Sequence, residues 1–411
     1  MAVMADVYFT GLPQPLRLKG PARLFSLVRR FFPTWYSREE ACDEEASPVI
    51  TVHAEGRAGW HITVPWLLSP LRERSETSLL CSLSVDMATA YFRANPSLIS
   101  MHCAASAFNG RLVVFPNTNR AGKSTLVARL MAAGFTSFAD DQLPITPEGC
   151  GISLGIPPRL RLPLPAGDDT LSRFFASHQG SRNKRYAYLD AQAPCLAPFG
   201  EQCPIGAFVL LARSDSGPAR LVPADEITGL QSLVRQNLMR QGGSREVFNR
   251  STELIKARPC WTLHYSSLDD AVTLLQEAFA SADPYGFDFT GEHRKKQTQK
   301  PYEPLPLTAQ DVLPARLESS PEDIYIRKSR IISEARQDDI FLIEEAEDAI
   351  YHLNPMAAAI WNMLEEPLSE TDAAKLFSDV FSDTPPGQIE HDVAVFFDML
   401  REKELIVKIS T

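Results

Sequence analysis

The strongest candidate for a chemical role in this sequence is the segment at positions 117–125. An apolar segment at 112–115, predicted to be a strand, precedes it, and a segment predicted to be a helix follows. At the start of such a helix, backbone N–H groups bind phosphate oxygens, a lysine neutralises the β- and γ-phosphates, and the next hydroxyl can bind magnesium. The segment therefore predicts binding of ATP and Mg²⁺, with Lys123 on the phosphates and Ser124 on the metal ion. The predicted phosphate-binding residues are Asn117, Thr118, Asn119, Arg120, Ala121, Gly122, Lys123, Ser124 and Thr125.

The first position of this loop departs from the usual pattern, because Asn117 stands where such loops have glycine. Asparagine is one of the few residues that adopt left-handed backbone conformations at modest cost. Two interpretations follow from the substitution. Either Asn117 replaces glycine in a working loop, or the loop has lost the ability to turn over ATP.

Two adjacent carboxylates, Asp140 and Asp141, follow the next apolar segment at 135–139. The carboxyl ends of strands in a parallel sheet border a ligand crevice, so we expect both side chains beside the phosphate-binding loop. One carboxylate can accept the proton of an attacking hydroxyl, and the other can hold a magnesium ion. We assign the base to Asp140 and the metal ligand to Asp141.

Several basic residues are weaker candidates. Arg159 and Arg161 could stabilise charge on a transferred phosphoryl group. A flap over the nucleotide could come from the cluster Arg182, Lys184 and Arg185, although runs of charge are usually solvated loops. The seven cysteines are odd in number and include no CxxC pair, so neither a disulfide framework nor a zinc site is indicated.

Length and composition limit the class of protein that must position these residues. A chain of 411 residues is too long for one ordinary core, so we expect more than one domain. The net charge of −10 argues against a nucleic-acid partner. No apolar run is long enough for a membrane helix, and the N-terminus lacks the pattern of a signal peptide, so we expect a cytoplasmic protein without a membrane partner.

The organisation along the chain predicts three folded parts and a linker. Residues 1–98 form an α/β accessory unit, with strands at 49–53 and 60–64 and a helix near 79–94. Residues 99–282 form the core around the loop, and the proline-containing residues 283–321 form a linker.

Residues 322–411 predict a winged-helix-like module. Strands are expected at 324–332, 340–343 and 349–353, followed by three helices and the apolar residues 405–407. Asn354 before Pro355 signals the start of the first helix, and Ser369 with Asp372 signals the start of the second.

Three segments in the core resemble the HPr kinase/phosphorylase family, most closely over residues 80–165. They are Ser-Met-His ending at His102, Gly-Lys-Ser at 122–124, and Ala-Asp-Asp ending at Asp141. The resemblance implies an α/β P-loop kinase core in which His102 lies at the catalytic centre and Asp140 is the base for a serine hydroxyl. The family's Glu-Ile-Arg-Gly segment, which supplies a second metal ligand, is not found, and Pro-Arg-Leu-Arg at 158–161 stands near its expected place. The chain therefore resembles the HPr-kinase-related branch, whose substrates are often small peptides, more than a kinase/phosphorylase that acts on HPr.

A second resemblance covers about residues 322–409. The run Ile-Tyr-His-Leu-Asn-Pro-Met-Ala-Ala-Ala-Ile-Trp at 350–361 is similar to PqqD-type domains. Such domains bind the leader peptides of modified peptides by adding a strand to a sheet edge. We expect Ile360 and Trp361 themselves to be core residues.

Together these features predict an ATP-dependent kinase that transfers phosphate to a serine or threonine hydroxyl of a peptide or small protein. The PqqD-like domain would recruit that substrate through a leader-like segment, and a homo-oligomer is compatible with the kinase resemblance. Two alternatives stay open, namely nucleotidyl transfer and a non-catalytic ATP-binding peptide chaperone.

Overall fold

The computed structural model describes residues 3–43, 45–54, 59–116, 121–239, 243–279, 320–381 and 384–409. The described chain is mixed α/β and divides into two compact units, residues 1–242 with 246–287 and residues 243–245 with 288–411. Four residues of the predicted phosphate loop, Asn117, Thr118, Asn119 and Arg120, lie outside the described residues. So does the predicted linker at 283–321, apart from its last two residues.

The first unit begins with a six-stranded sheet of order β3-β1-β2-β4-β5-β6. Its apolar face, which includes Leu16, Leu18 and Val52, packs in one core with residues of both helices of this region. The strands expected at 49–53 and 60–64 and the helix expected near 79–94 are confirmed as β4, β5 and α2. The elements are β1 (Val3–Phe9), β2 (Leu16–Gly20), α1 (Ala22–Phe31), β3 (Tyr36–Ala41), β4 (Ile50–Ala54), β5 (Trp60–Thr63), β6 (Leu71–Glu73) and α2 (Glu76–Ala94).

The same unit continues into a ten-stranded mixed sheet of order β10-β8-β9-β16-β12-β11-β7-β18, in which β16 also pairs with β19, and β19 with β17. A small separate sheet has the order β13-β15-β14. The elements are β7 (Ile99–Met101), β8 (Ala104–Phe108), β9 (Arg111–Phe115), α3 (Lys123–Ala132), β10 (Thr136–Ala139), β11 (Leu143–Ile145), β12 (Cys150–Ile152), β13 (Arg159–Arg161), α4 (Asp169–Ser177), β14 (Gln179–Arg182), β15 (Tyr186–Leu189), β16 (Gln202–Arg213), β17 (Arg220–Pro223), α5 (Glu226–Arg235), β18 (Asn237–Met239), α6 (Gly243–Ala257), β19 (Cys260–Tyr265) and α7 (Leu268–Ala278).

The expectation of a parallel sheet around the two carboxylates was wrong. Strands β9, β16 and β19 pair in parallel, but β8 lies between β10 and β9 and runs antiparallel to both. The cause is the two-residue connection Asn109-Gly110, whose positive φ values of 47° and 74° suit a tight hairpin. Because β10 still runs in the direction of β9, Asp140 follows β10 at the sheet edge where β9 ends.

Helix α3 joins these two strands and lies on the sheet. Its residues Leu126, Val127 and Leu130 are fully buried in a core with β8, β9 and β16. Gly134, with φ of +94°, follows the helix, and its N–H donates to the carbonyl of Met131. The packed face fixes the first turn of α3 in position against the sheet.

In the second unit, two three-stranded sheets, β21-β22-β23 and β24-β20-β25, accompany three helices. The single strand expected at 324–332 was wrong, because the polar residues after Arg327 form a turn and the two halves pair in different sheets. The elements are β20 (Ile324–Arg327), β21 (Ile332–Arg336), β22 (Asp339–Glu344), β23 (Ala349–Leu353), α8 (Pro355–Met363), β24 (Leu368–Ser369), α9 (Glu370–Val380), α10 (Pro386–Glu402) and β25 (Ile406–Lys408).

The helix starts predicted for this unit are confirmed. The Asn354 side chain accepts a hydrogen bond from the N–H of Ala357, and Ser369 caps α9 in the same way. Ile360 and Trp361 are fully buried, as expected for core residues. In the described parts of the chain, no helix is both long enough and apolar enough to cross a membrane.

Candidate functional site

The described part of the predicted phosphate-binding segment includes a glycine that the local structure requires. Gly122 has φ of +94°, and a Cβ atom on it would lie 2.9 Å from the Tyr265 hydroxyl. Both the left-handed backbone and this close approach favour glycine. On the other side of the undescribed residues, the Pro116 carbonyl accepts a hydrogen bond from the Ser232 hydroxyl on α5.

Lys123 is the first residue of α3 and is only 7% exposed. Burial lowers the pKa of Lys123, while Cys103, Asp140 and Asp141 act in the opposite direction. A buried ammonium at a helix N-terminus adds its charge to that of the helix dipole, so this place favours an anion.

Asp140 lies directly after β10, and its two carboxyl oxygens differ in their hydrogen bonding. The Arg159 backbone N–H donates to Oδ2 at 2.8 Å. The other oxygen, Oδ1, is shielded from solvent and has no hydrogen-bond partner among the described residues. Burial raises the pKa of Asp140 to about 6, against the opposing hydrogen bonds from the Arg159 N–H and the Ser124 hydroxyl. Near neutral pH, Asp140 is therefore an ionised carboxylate with more than ordinary basicity.

His102 and Asp141 form a second polar pair at the same sheet edge. His102 Nδ1 lies 3.3 Å from Asp141 Oδ1, and the Asp141 side chain is about half exposed at 49%. Burial lowers the pKa of His102, and the charge of Asp141 raises it. The three residues predicted before and after the loop, His102, Asp140 and Asp141, are thus brought together with Lys123.

The predicted metal ligands, Ser124 and Asp141, contact different residues. Ser124 approaches Asp140, whereas Asp141 pairs with His102. No cluster of three or more His, Cys, Asp or Glu side chains suited to a metal ion occurs in the described residues. A magnesium ion here would need nucleotide oxygens to complete its shell, which is common for this ion.

The basic candidates divide into one half-buried residue, Arg159, and several exposed ones. The Arg159 guanidinium donates to the Cys81 sulfur and lies 5.0 Å from the centroid of the Tyr186 ring. Burial alone would lower the pKa of Arg159, but neighbouring ionisable groups, led by Tyr188, raise it. The remaining candidates are exposed and make no hydrogen bond to Asp140. They lie on β13 or on the β14–β15 hairpin and are Arg161, Arg182, Lys184 and Arg185.

A cavity of about 40 Å³ lies beside Asp140, and sequence reasoning missed part of its wall. Cys81, Ser84 and Val85 of helix α2 line it, together with Tyr188 of β15. No short-range spacing marks these residues, because strands β7, β8 and β9 separate α2 from the predicted phosphate-binding loop, and β15 belongs to a different sheet. Asp140, Asp141 and Arg159 complete the polar part of the lining.

These groups are suited to a magnesium-bound nucleoside triphosphate. A helix N-terminus with a buried lysine favours phosphate, and an unpartnered buried carboxylate oxygen favours a proton or a cation. The arrangement therefore brings groups that favour an anion next to a carboxylate with a raised pKa.

Comparison with known proteins bears on the second unit. No curated protein matches the chain. Residues 339–406 match the family described as Coenzyme PQQ synthesis protein D, PqqD. The match agrees with the expectation for about 322–409, and a PqqD domain supports a peptide as partner. The C-terminal part of the chain thus contains a PqqD domain at residues 339–406.

Proposed function

We propose that this protein is an ATP-dependent kinase that phosphorylates a serine or threonine hydroxyl of a peptide or small protein held by its PqqD domain. The observation that carries the proposal is the environment of Asp140. Its Oδ2 is fixed by the Arg159 N–H, its Oδ1 has no partner among the described residues, and its pKa is about 6. A carboxylate with these properties beside a buried lysine is suited to accept a hydroxyl proton during phosphoryl transfer.

In the proposed reaction, the acceptor oxygen attacks the γ-phosphorus of ATP while its proton passes to Asp140. The bond between the γ-phosphorus and the bridging oxygen breaks, and ADP leaves. Lys123 and the N–H groups at the start of α3 hold the phosphates. Bound Mg²⁺ would neutralise phosphate charge, with Ser124 and Asp141 as its protein contacts.

His102 and Asp141 have a positioning role in this proposal. Their contact at 3.3 Å holds the Asp141 carboxylate beside Asp140. The negative charge of Asp141 also contributes to the raised pKa of Asp140. His102 therefore influences how strongly Asp140 holds a proton.

The PqqD domain supplies the substrate in this proposal. Its sheet β21-β22-β23 has two edge strands, β21 and β23, and an extended leader segment could pair with one of them. Holding the leader raises the effective concentration of the acceptor at the kinase site, provided that the linker reaches. Removing the leader from a substrate should therefore raise KM far more than it lowers kcat.

The test uses the full chain with Mg-ATP and the short peptides encoded beside its gene. Phosphoryl transfer predicts ADP and a peptide heavier by one phosphate. Lys123→Ala and Asp140→Asn should abolish this product, whereas the controls Lys375→Ala, at an exposed lysine, and Asp86→Asn, at another buried aspartate, should not.

Two other outcomes would contradict the proposal. Pyrophosphate release with a nucleotide added to the peptide would identify nucleotidyl transfer instead. The second outcome is a peptide that is modified equally well when Lys123→Ala is the only form of this chain present. In that case the chain is not the catalyst, and the hypothesis of a non-catalytic ATP-binding chaperone is favoured.

A further inference from the structure

We infer that a second cavity in the first unit binds a small ammonium compound and that its occupancy acts on Asp140 through a single peptide group. The second cavity has a volume of about 270 Å³ and lies where α1, the start of α2, β14 and the end of β15 meet. It shares no lining residue with the cavity beside Asp140. The inference adds a ligand and its regulation to the protein, and the regulatory meaning rests on the proposed kinase function.

The second cavity has the size and wall of a site for a small molecule. Its volume lies just below the range of roughly 300–1,000 Å³ that is usual for pockets that bind drug-sized ligands. Leu27 and Phe31 of α1, Leu80 of α2 and Leu189 of β15 give it an apolar wall. In such pockets a few polar groups beside an apolar wall orient the ligand.

The charged groups of the lining favour a cation. Arg30 donates a hydrogen bond to the Asp190 carboxylate, so these two charges offset each other. Glu76, the first residue of α2, also lines the second cavity and forms no ion pair with another described residue. The net charge of the lining is therefore negative. An ammonium group on an apolar body suits both the Glu76 carboxylate and the apolar wall.

Strand β15 and helix α2 separate the second cavity from the cavity beside Asp140. On β15, Tyr188 lines the cavity beside Asp140, and the next residue, Leu189, lines the second cavity. Successive side chains of a strand point to opposite faces, so β15 is a wall common to both cavities. Helix α2 also lines both, with Cys81 at the cavity beside Asp140 and Leu80 at the second cavity. A ligand in the second cavity therefore contacts the other side of two walls of the candidate site.

One peptide group connects the second cavity to Asp140. The Leu189 N–H donates to the Pro158 carbonyl at 3.0 Å. The N–H at the other end of that peptide group belongs to Arg159 and donates to Asp140 Oδ2 at 2.8 Å. Because the peptide group is planar and successive hydrogen bonds polarise one another, a shift of Leu189 changes the hydrogen bond to Asp140. Occupancy of the second cavity is thereby coupled to the proposed base.

Binding is measured with the full chain by saturation-transfer NMR, and the probe is 2-phenylethylammonium. Its neutral analogue 2-phenylethanol and the anion 3-phenylpropionate are the comparisons. We expect the probe to bind about two- to fivefold more tightly than the alcohol, as an exposed ion pair allows, and more tightly than the anion. Equal or tighter binding of the alcohol or of the anion would overturn the ammonium assignment.

Two substitutions locate the site. Glu76→Gln keeps the shape and removes the charge, so it should abolish the preference for the ammonium compound over the alcohol. Glu226→Gln should keep that preference, because Glu226 is also the first residue of a helix but does not line the second cavity. Ala191→Trp should fill the second cavity and weaken binding by about tenfold, whereas Ala176→Trp, at an exposed alanine outside the lining, should not. Unchanged binding in both Glu76→Gln and Ala191→Trp would overturn the site.

A lysine side chain of a partner protein carries the same ammonium group as a small amine. The probe Nα-acetyl-lysine N-methylamide separates these two sources. We expect it to bind less tightly than 2-phenylethylammonium, because its amide groups would lose water against the apolar wall. Tighter binding of the lysine compound would overturn the assignment to a small molecule.

The coupling to Asp140 is measured by hydrogen exchange of the backbone amides. At a 2-phenylethylammonium concentration of twice its Kd, exchange at residues 159–161 should slow by about threefold, because a ligand that binds only the closed form lowers the open population by the factor 1 + [L]/Kd. Exchange in α7, which lines neither cavity, should not change. An unchanged rate at 159–161 would overturn the coupling. Neither binding nor exchange requires phosphoryl transfer, so this inference and the kinase proposal can fail separately.

Discussion

Two regions of the first unit each bury one aspartate, and the two carboxyls look alike when considered singly. Asp86, on α2, and Asp140, after β10, both have a pKa raised by burial to about 6. Asp86 accepts a hydrogen bond from Trp66 Nε1 at 3.1 Å, and Asp140 accepts one from the Arg159 N–H at 2.8 Å and a further one from the Ser124 hydroxyl. Each also has one buried oxygen with no partner among the described residues.

The regions differ in what surrounds the carboxyl. Burial raises the pKa of Asp86 and the Trp66 hydrogen bond lowers it, and Asp86 does not line the cavity beside Asp140. Asp140 lies within the fields of Asp141 and Arg159, and its charge in turn acts on Lys123. A raised pKa therefore shows only that ionising the carboxyl costs free energy. The neighbouring cations and the cavity are what distinguish Asp140 as a candidate for catalysis.

The first prediction tests whether the two carboxyls differ in function, by neutralising each in turn. Asp140→Asn should lower kcat by about 10²–10⁴-fold, the usual contribution of a positioned base. Asp86→Asn should leave kcat within about twofold. Steady-state kinetics with Mg-ATP and a peptide substrate check both, and equal losses in the two variants would mean that burial alone explains the properties of Asp140.

The sequence predicted the site where its residues are neighbours in the chain. Lys123, Ser124 and Asp140 were found because one strand, one loop and one helix place them, and a hydrophobic pattern indicates those elements. His102 could be placed only through the resemblance to a kinase family. The prediction that Ile360 and Trp361 are core residues followed from the general tendency of large apolar side chains to be buried.

The remaining features depend on long-range packing that no local pattern encodes. Cys81 and Val85 reach the cavity only because α2 packs against the sheet that contains β15. The antiparallel β8 was missed because a parallel sheet was assumed, although Asn109-Gly110 is a hairpin signal that could have corrected it. Asp86 had no sequence signal, since a single aspartate in a helix is usually exposed.

The second prediction concerns stability. The folded state holds a proton on Asp86 with a pKa of about 6, against an ordinary value of 3.8, so ionisation above pH 6 costs about 3 kcal/mol that is absent below pH 4. The free energy of unfolding should therefore fall across this range, and Asp86→Asn should remove that share of the fall. Urea unfolding at pH 4 and pH 8 measures it for both proteins.

A pH dependence that is identical in Asp86→Asn and in the unmodified protein would contradict this assignment. Asp140→Asn is the matched comparison, because its carboxyl has a similar pKa and a similar cost on ionisation. The two variants should thus resemble each other in stability and differ in activity.

The third prediction is the pH dependence of catalysis. Only ionised Asp140 accepts a proton, and a pKa of about 6 leaves about one tenth of the molecules active at pH 5 and about nine tenths at pH 7. We therefore expect kcat/KM to rise about tenfold over this interval and then to level. Asp86→Asn should show the same profile, and a flat profile in the unmodified protein would exclude Asp140 as the base.

The smallest expected effect comes from the hydrogen bond that holds Asp86. Trp66→Phe removes the indole N–H but keeps an aromatic ring near Arg93, so it leaves a second Asp86 oxygen without a partner. The free energy of unfolding should fall by about 1 kcal/mol or more. The loss should be larger at pH 8 than at pH 4, because the N–H stabilises the ionised carboxyl. Urea unfolding of Trp66→Phe with and without Asp86→Asn tests the coupling, and strictly additive losses at pH 8 would show that the two groups act independently.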